Sequence, residues 1–204
     1  CAYQSLAYVI LDVDRAEMQR IRQMSAEELA ALRQSPVEFL RLTSWLRFIS
    51  ADVVDLRQGQ SAHDSNQCGE VAMAIALGRF LRREFPNPEI YSRVIIENQP
   101  KQYNATSYGV SITLASYFAE ASPEFISPKL KNKITIVPGF EYERYRALFP
   151  DGKRARKQHA ADSFTYFGLA WRRPDILGRI PQSSREHVGD ALLQALYIIK
   201  SLDE

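Results

Sequence analysis

The segment that most constrains this chain is Arg93-Val94-Ile95-Ile96-Glu97-Asn98-Gln99-Pro100. Three consecutive β-branched apolar residues are what a strand buried on both faces requires, and the run stops abruptly at an acid, two amides and a proline. A strand of that kind delivers Glu97 to its carboxyl end. In open α/β sheets this is the edge along which ligands bind, so a carboxylate there is a candidate for chemistry. The competing reading is a glutamate that merely caps the turn before Pro100.

The elements around this strand alternate. Leu6 to Val13 is rich in β-formers and is closed by Asp12 and Asp14. Ser25-Ala26-Glu27-Glu28 carries the capping-box pattern and Ser35-Pro36-Val37-Glu38 starts a further helix, so residues 15–44 read as a helical insertion packed on the outside. Leu46 to Leu56 returns to strand composition. A helix is expected from about Asn66 to Phe85, ending at Pro86, and another from Asn104 to Glu120. Glu124 to Pro128 is a short strand stopped by proline. A basic connection containing Tyr142 and Tyr145 leads into a helix over Lys153 to Trp171, and Arg172 to Gln182 reads as a loop with two prolines. The expected fold class is α/β, with one domain over residues 1–204.

The last helix is the second informative element. Ser183 stands three residues before Glu186, a capping-box spacing, and Val188, Ala191, Leu192, Ala195, Leu196, Ile199 and Leu202 trace an apolar stripe. His187, Asp190 and Gln194 fall at i, i+3 and i+7, hence on one face. Packing the stripe on a sheet would hold a histidine and an aspartate beside the core.

The chain's formal charge is only +2, but its cations gather in the second half: Lys129, Lys131 and Lys133, then Lys153, Arg154, Arg156 and Lys157, then Arg172 and Arg173. Such runs offer a phosphate-binding surface, or simply a solvated face. No apolar run reaches the roughly 18 residues of a membrane-spanning helix, which argues against a helical membrane protein. Cys1 and Cys68 make neither a zinc site nor a disulfide framework, so reduced thiols and an intracellular setting are expected.

In their order, these segments resemble the RNase H-like superfamily, and within it the Holliday-junction resolvases of the RuvC kind, most closely the branch shared by poxviruses and fungal mitochondria. Val94 to Pro100 is similar to that family's strand ending in Glu and followed by Gln-Pro. Ile126-Ser127-Pro128-Lys129 resembles its Ser-Pro-x-Lys segment. Glu186-His187-Val188-Gly189-Asp190-Ala191-Leu192-Leu193-Gln194-Ala195-Leu196 resembles its closing Asp-Asp-x-x-Asp-(Ala/Ser)-Leu-Leu-Gln-(Ala/Gly)-Leu helix. Cys1 to Tyr8 lines up with the residues that follow the family's first catalytic aspartate, which would then stand immediately before Cys1.

The resemblance implies a mixed central sheet flanked by helices. It also implies a Mg²⁺-dependent endonuclease, with Mn²⁺ able to substitute, that resolves four-way DNA junctions as a homodimer inside the cell, whether in a viral factory or cytoplasm, a mitochondrion or a nucleus. Mg²⁺ prefers hard oxygen donors, and two such ions about 4 Å apart would activate water and stabilise the phosphoryl charge. By resemblance, Glu97 and Asp190 are metal ligands and His187 is the third member of the site, either a ligand or a proton acceptor. Glu186, four residues before Asp190, could supply the carboxylate that His187 lacks. Lys129, Lys131, Arg154 and Lys157 would contact phosphates, and Gln99 would orient the scissile phosphate or nearby waters.

His159-Ala160-Ala161-Asp162 repeats the His-x-x-Asp spacing one helix earlier and is a rival for the same role. Two other functions stay open on these residues: an inactive RNase H-like module that binds nucleic acid or protein, and a nuclease of the superfamily acting on flaps or RNA–DNA hybrids.

Overall fold

The computed structural model describes residues 5–25, 27–28, 45–56, 70–98, 105–127, 142–149 and 151–201. Its elements are β1 (Ser5–Val13), α1 (Arg15–Arg22), β2 (Leu46–Asp55), α2 (Glu70–Glu84), β3 (Val94–Glu97), α3 (Ala105–Tyr117), β4 (Pro123–Ile126), α4 (Tyr142–Leu148), α5 (Gly152–Ala170), α6 (Pro174–Arg179) and α7 (Arg185–Ser201). This is a mixed α/β chain in which helix predominates, and its described strands pair as two two-stranded sheets, β1 with β2 and β3 with β4. The chain forms two compact units, Cys1–Leu6 with Val54–Leu130, and Ala7–Val53 with Lys131–Glu204.

The first unit is built on α2 and the β3–β4 pair. Met73, Leu77, Phe80 and Leu81 recur at helical spacing and are all buried. At roughly 1.5–3 kcal/mol for each large apolar side chain removed from water, that stripe is what holds the helix in place. Where α2 ends, the Leu81 carbonyl accepts from the Phe85 N–H (2.8 Å), and the Tyr117 hydroxyl donates to the carbonyls of Phe85 (2.8 Å) and Leu81 (3.3 Å), adding a tertiary partner to the last turn. Phe85, Tyr91 and Phe118 meet edge to face around that cap. β3 and β4 run parallel with Glu97 opposite Ile126, and the ladder continues one step further through Asn98 N–H to the Ile126 carbonyl at 2.7 Å. Ile96 and Ile126 are buried whereas Val94 and Ile95 are half-buried, so β3 is less enclosed than its composition predicts.

The second unit gathers one core from β2, α5, α6 and α7. Along β2, Leu46 and Phe48 point inward and Arg47 and Ile49 outward, the period of two that a strand imposes. Asp14 N–H donates to the Trp45 carbonyl at 2.7 Å and the Arg47 guanidinium meets Asp12, so advancing along β2 retreats along β1 and the two are antiparallel. Phe48 packs edge to face on Phe164 and Trp171, and Phe167 stacks on Trp171 with centroids 4.7 Å apart. Val188, Leu192, Leu196 and Ile199 of α7 complete the cluster, with Met18 of α1. The insertion therefore contributes a core residue. The capping box of its second helix is present: Ser25 N–H donates to Glu28 Oε2 and Glu28 N–H to Ser25 Oγ. Residues 29–44, including the helix start expected at Ser35, lie outside the described residues.

Two segments read as connections are helical. Residues 142–148 form α4, whose Tyr145 is buried, and the supposed proline loop holds α6, with Pro174 in its first turn where a missing N–H costs nothing. The turn between α5 and α6 is a Schellman closure: Arg172 N–H donates to the Leu169 carbonyl and Arg173 N–H to that of Gly168. It demands a left-handed residue, and Arg172 occupies that position at φ 53°. Arg172→Gly is therefore expected to raise stability by about 0.5–1 kcal/mol, read as a higher urea midpoint at unchanged slope. Arg173 donates to the Phe48 and Ile49 carbonyls and binds Asp175 through Nε and Nη2, so it fastens this corner to β2 rather than serving an anion. The same guanidinium holds the Asp175 carboxyl down to about 2. Because folding lowers that pKa, the contribution is whole at neutral pH and is lost as pH falls from about 4 toward 2. Asp175→Asn is expected to flatten acid unfolding in that window.

Candidate functional site

Glu97 is half-buried at the carboxyl end of β3, with Asn98 beside it held by the Ile126 carbonyl and Ser127 following on β4. Two parallel strands thus end together, and an acid stands at their shared edge. The neighbouring Gln99, and Lys129 and Lys131 beyond β4, lie outside the described residues.

On α7 the polar stripe sinks along its length. The His187 side chain is 39% exposed, Asp190 is half-buried with its Oδ1 shielded from solvent, and Gln194 is buried at 5%. The carboxylate therefore sits part-way down from a surface imidazole. What fixes it is the residue between them. A Cβ on Gly189 would stand 1.9 Å from the carbonyl oxygen of Ala160, so α7 and α5 approach backbone to backbone at this point. Gly189 lies between Val188 and Asp190, two residues after His187, so the crossing sets where the Asp190 side chain begins.

Glu186 does not form the expected cap. Ser183 belongs to a single 3₁₀ turn, Gln182–Ser184, that feeds directly into α7, and the Glu186 carboxylate turns to the Lys157 ammonium, with His187 Nε2 3.7 Å from the same oxygen. Lys157 is 46% and Glu186 19% exposed, so solvent screens the pair and it is worth on the order of 1 kcal/mol or less. Two residues expected to act on substrate, one as an acid and one as a phosphate contact, thus meet each other.

The rival pair on α5 is occupied differently. Asp162 accepts from the Tyr145 hydroxyl at 2.9 Å and from Gln158 Nε2 at 2.8 Å, and His159 is buried with the Tyr142 and Tyr145 rings edge-on to it. Burial and the Asp162 bond push the Tyr145 phenol's pKa well above its ordinary value, so it stays a donor. This cluster staples α4 to α5. The spacing it shares with His187 and Asp190 conceals a different environment.

Among the described residues, and within either unit taken alone, no three His, Cys, Asp or Glu side chains gather into a metal-binding group. Glu97 and Asp190 do present the hard oxygen donors that Mg²⁺ prefers. An imidazole suits it poorly, and Glu186 would have to give up Lys157. Comparison with known proteins returns no matching family model, no matching characterised protein and no matching solved structure.

Proposed function

We propose that the chain is a Mg²⁺-dependent, structure-selective DNA endonuclease of RNase H-like fold that resolves four-way junctions as a homodimer. The observation that carries this reading is the pair of acids in two distinct settings: Glu97 at the joint end of parallel β3 and β4, and Asp190 half-buried on the polar stripe of α7.

Glu97 and Asp190 would hold the metal. When bound, Mg²⁺ supplies a water acidic enough to attack the phosphodiester and a counter-charge for the phosphoryl oxygens. His187 presents an imidazole at the mouth of the stripe, where it can take up the proton that the attacking water releases. Asn98 offers an amide next to Glu97, suited to orienting a phosphate oxygen. Arg154, with Lys129 and Lys131, supports the binding of junction phosphates, so affinity falls steeply with salt. Lys157, engaged with Glu186, serves the site by orienting that acid. The homodimer follows from the need for paired cuts in two strands.

A second reading is a module of the same fold that binds nucleic acid without cutting it, favoured by the commitment of Glu186 to Lys157. Incubation of the full-length protein with a four-way junction, a flap and an RNA–DNA hybrid in Mg²⁺ decides between them. Symmetric nicks confined to the junction are the expected result. Binding without cleavage establishes the second reading, and preferential loss of the hybrid or the flap overturns the junction assignment.

A further inference from the structure

The ion pair between α5 and α7 stands where it decides what an acid can do. α5 and α7 meet backbone to backbone at Ala160 and Gly189, and Lys157 and Glu186 each lie three residues before that contact on their own helix. Three residues is nearly one turn, so both side chains start beside the crossing and meet across it. The Ala160 carbonyl is too close to Gly189 to admit even a methyl group, so the helices cannot draw nearer. Any change at this point is therefore an exchange of partners between two long side chains.

Glu186 also stands four residues before Asp190, and like charges at that spacing repel along a helix. A cation at Glu186 offsets the repulsion, and here the protein supplies one from α5: the Lys157 ammonium lies against Glu186 Oε1. The two ends of the pair differ in exposure. Glu186 is 19% exposed and faces inward, whereas Lys157 is 46% exposed and continues the run of Lys153, Arg154 and Arg156 along the first turns of α5. That first turn holds no acid, so the cations repel one another and oppose the helix dipole. A polyanion relieves both penalties, and Lys157 is the member of the run whose ammonium must leave a carboxylate to reach it.

We propose that Lys157 is a built-in counter-ion that occupies Glu186 until DNA phosphates draw it away, whereupon Glu186 joins Asp190 around a divalent cation. The inference rests on the metal reading above and adds a coupling to it: DNA and metal each favour the state that the other requires. Because solvent screens the pair, the coupling amounts to about fivefold or less.

Mn²⁺ titrations of the full-length protein without DNA, followed by electron paramagnetic resonance, test one side of the coupling. Lys157→Met is expected to bind Mn²⁺ about three- to fivefold more tightly than the wild type. Lys153→Met removes the same charge about one turn earlier and changes the affinity less than about twofold. The gain disappears when Lys157→Met is made on a Glu186→Gln background. Fluorescence anisotropy with a linear duplex in EDTA tests the other side. Glu186→Gln frees Lys157 with its charge intact and tightens duplex binding by about two- to fivefold, and on a Lys157→Met background it changes binding less than about twofold. Each variant loses a screened surface pair, and melting curves verify that it is folded.

Equal Mn²⁺ affinity in Lys157→Met and the wild type, or a gain that persists on Glu186→Gln, overturns the counter-ion while leaving the nuclease reading intact. Duplex binding that Glu186→Gln leaves unchanged overturns it as well. Mn²⁺ affinity unaltered when Glu97→Gln and Asp190→Asn are combined removes the metal reading beneath it.

Discussion

Gly189→Ala is expected to destabilise the second unit by about 3 kcal/mol or more, beyond the ordinary cost of one added methyl in a core. The added Cβ would meet the Ala160 carbonyl oxygen at 1.9 Å and its carbon at 2.4 Å. Both are backbone atoms of α5 at buried Ala160, so no rotamer change can clear them, and α5 and α7 must separate. That separation also loosens the core that Val188 and Leu192 share with Phe164. For a chain of this size it corresponds to a fall in melting temperature on the order of 10 °C, measured by circular dichroism. Gly178→Ala is the control: nothing lies within 4 Å of its added Cβ, and its melting temperature stays near that of the wild type. Equal melting for all three proteins would show that the two helices do not meet as described.

Glu97→Gln and Asp190→Asn should each lower junction cleavage by about a thousandfold or more while junction affinity changes little. Each removes one charge and one metal-ligating oxygen but preserves side-chain shape. Cleavage assays under single-turnover conditions, paired with binding assays in Ca²⁺, separate the two effects. Asp162→Asn is the comparison that matters, because it has the same local spacing to a histidine. Its carboxylate is bonded to Tyr145 and Gln158, so the variant should lose some stability and keep its cleavage rate. Cleavage lost in Asp162→Asn and retained in Asp190→Asn would move the site to α5.

These contrasts also mark how far the residues alone lead. β1, β2 and the long helices were legible because β-branched runs and 3.6-residue stripes persist over many positions. The Ser25–Glu28 capping box was legible because both partners are local. The same spacing at Ser183–Glu186 misled, since a lysine 29 residues earlier in sequence competes for the acid. α4 and α6 are too short, at seven and six residues, to display a period, although Pro174 followed by Asp175 was a usable signal for the second. Gly189 shows the clearest limit. From sequence it is a mild weakness inside a helix, and only the path of α5 reveals that no other residue fits there. Likewise His159–Asp162 and His187–Asp190 are equivalent in spacing, and only tertiary partners distinguish a staple from a candidate site.

The account depends on Glu97 and Asp190 serving one cation. Anomalous diffraction from crystals of the full-length protein grown with Mn²⁺ tests this directly. The expected result is a peak within about 2.5 Å of a carboxylate oxygen of each residue. A peak touching only one of them, or bound Mn²⁺ that touches neither, contradicts it.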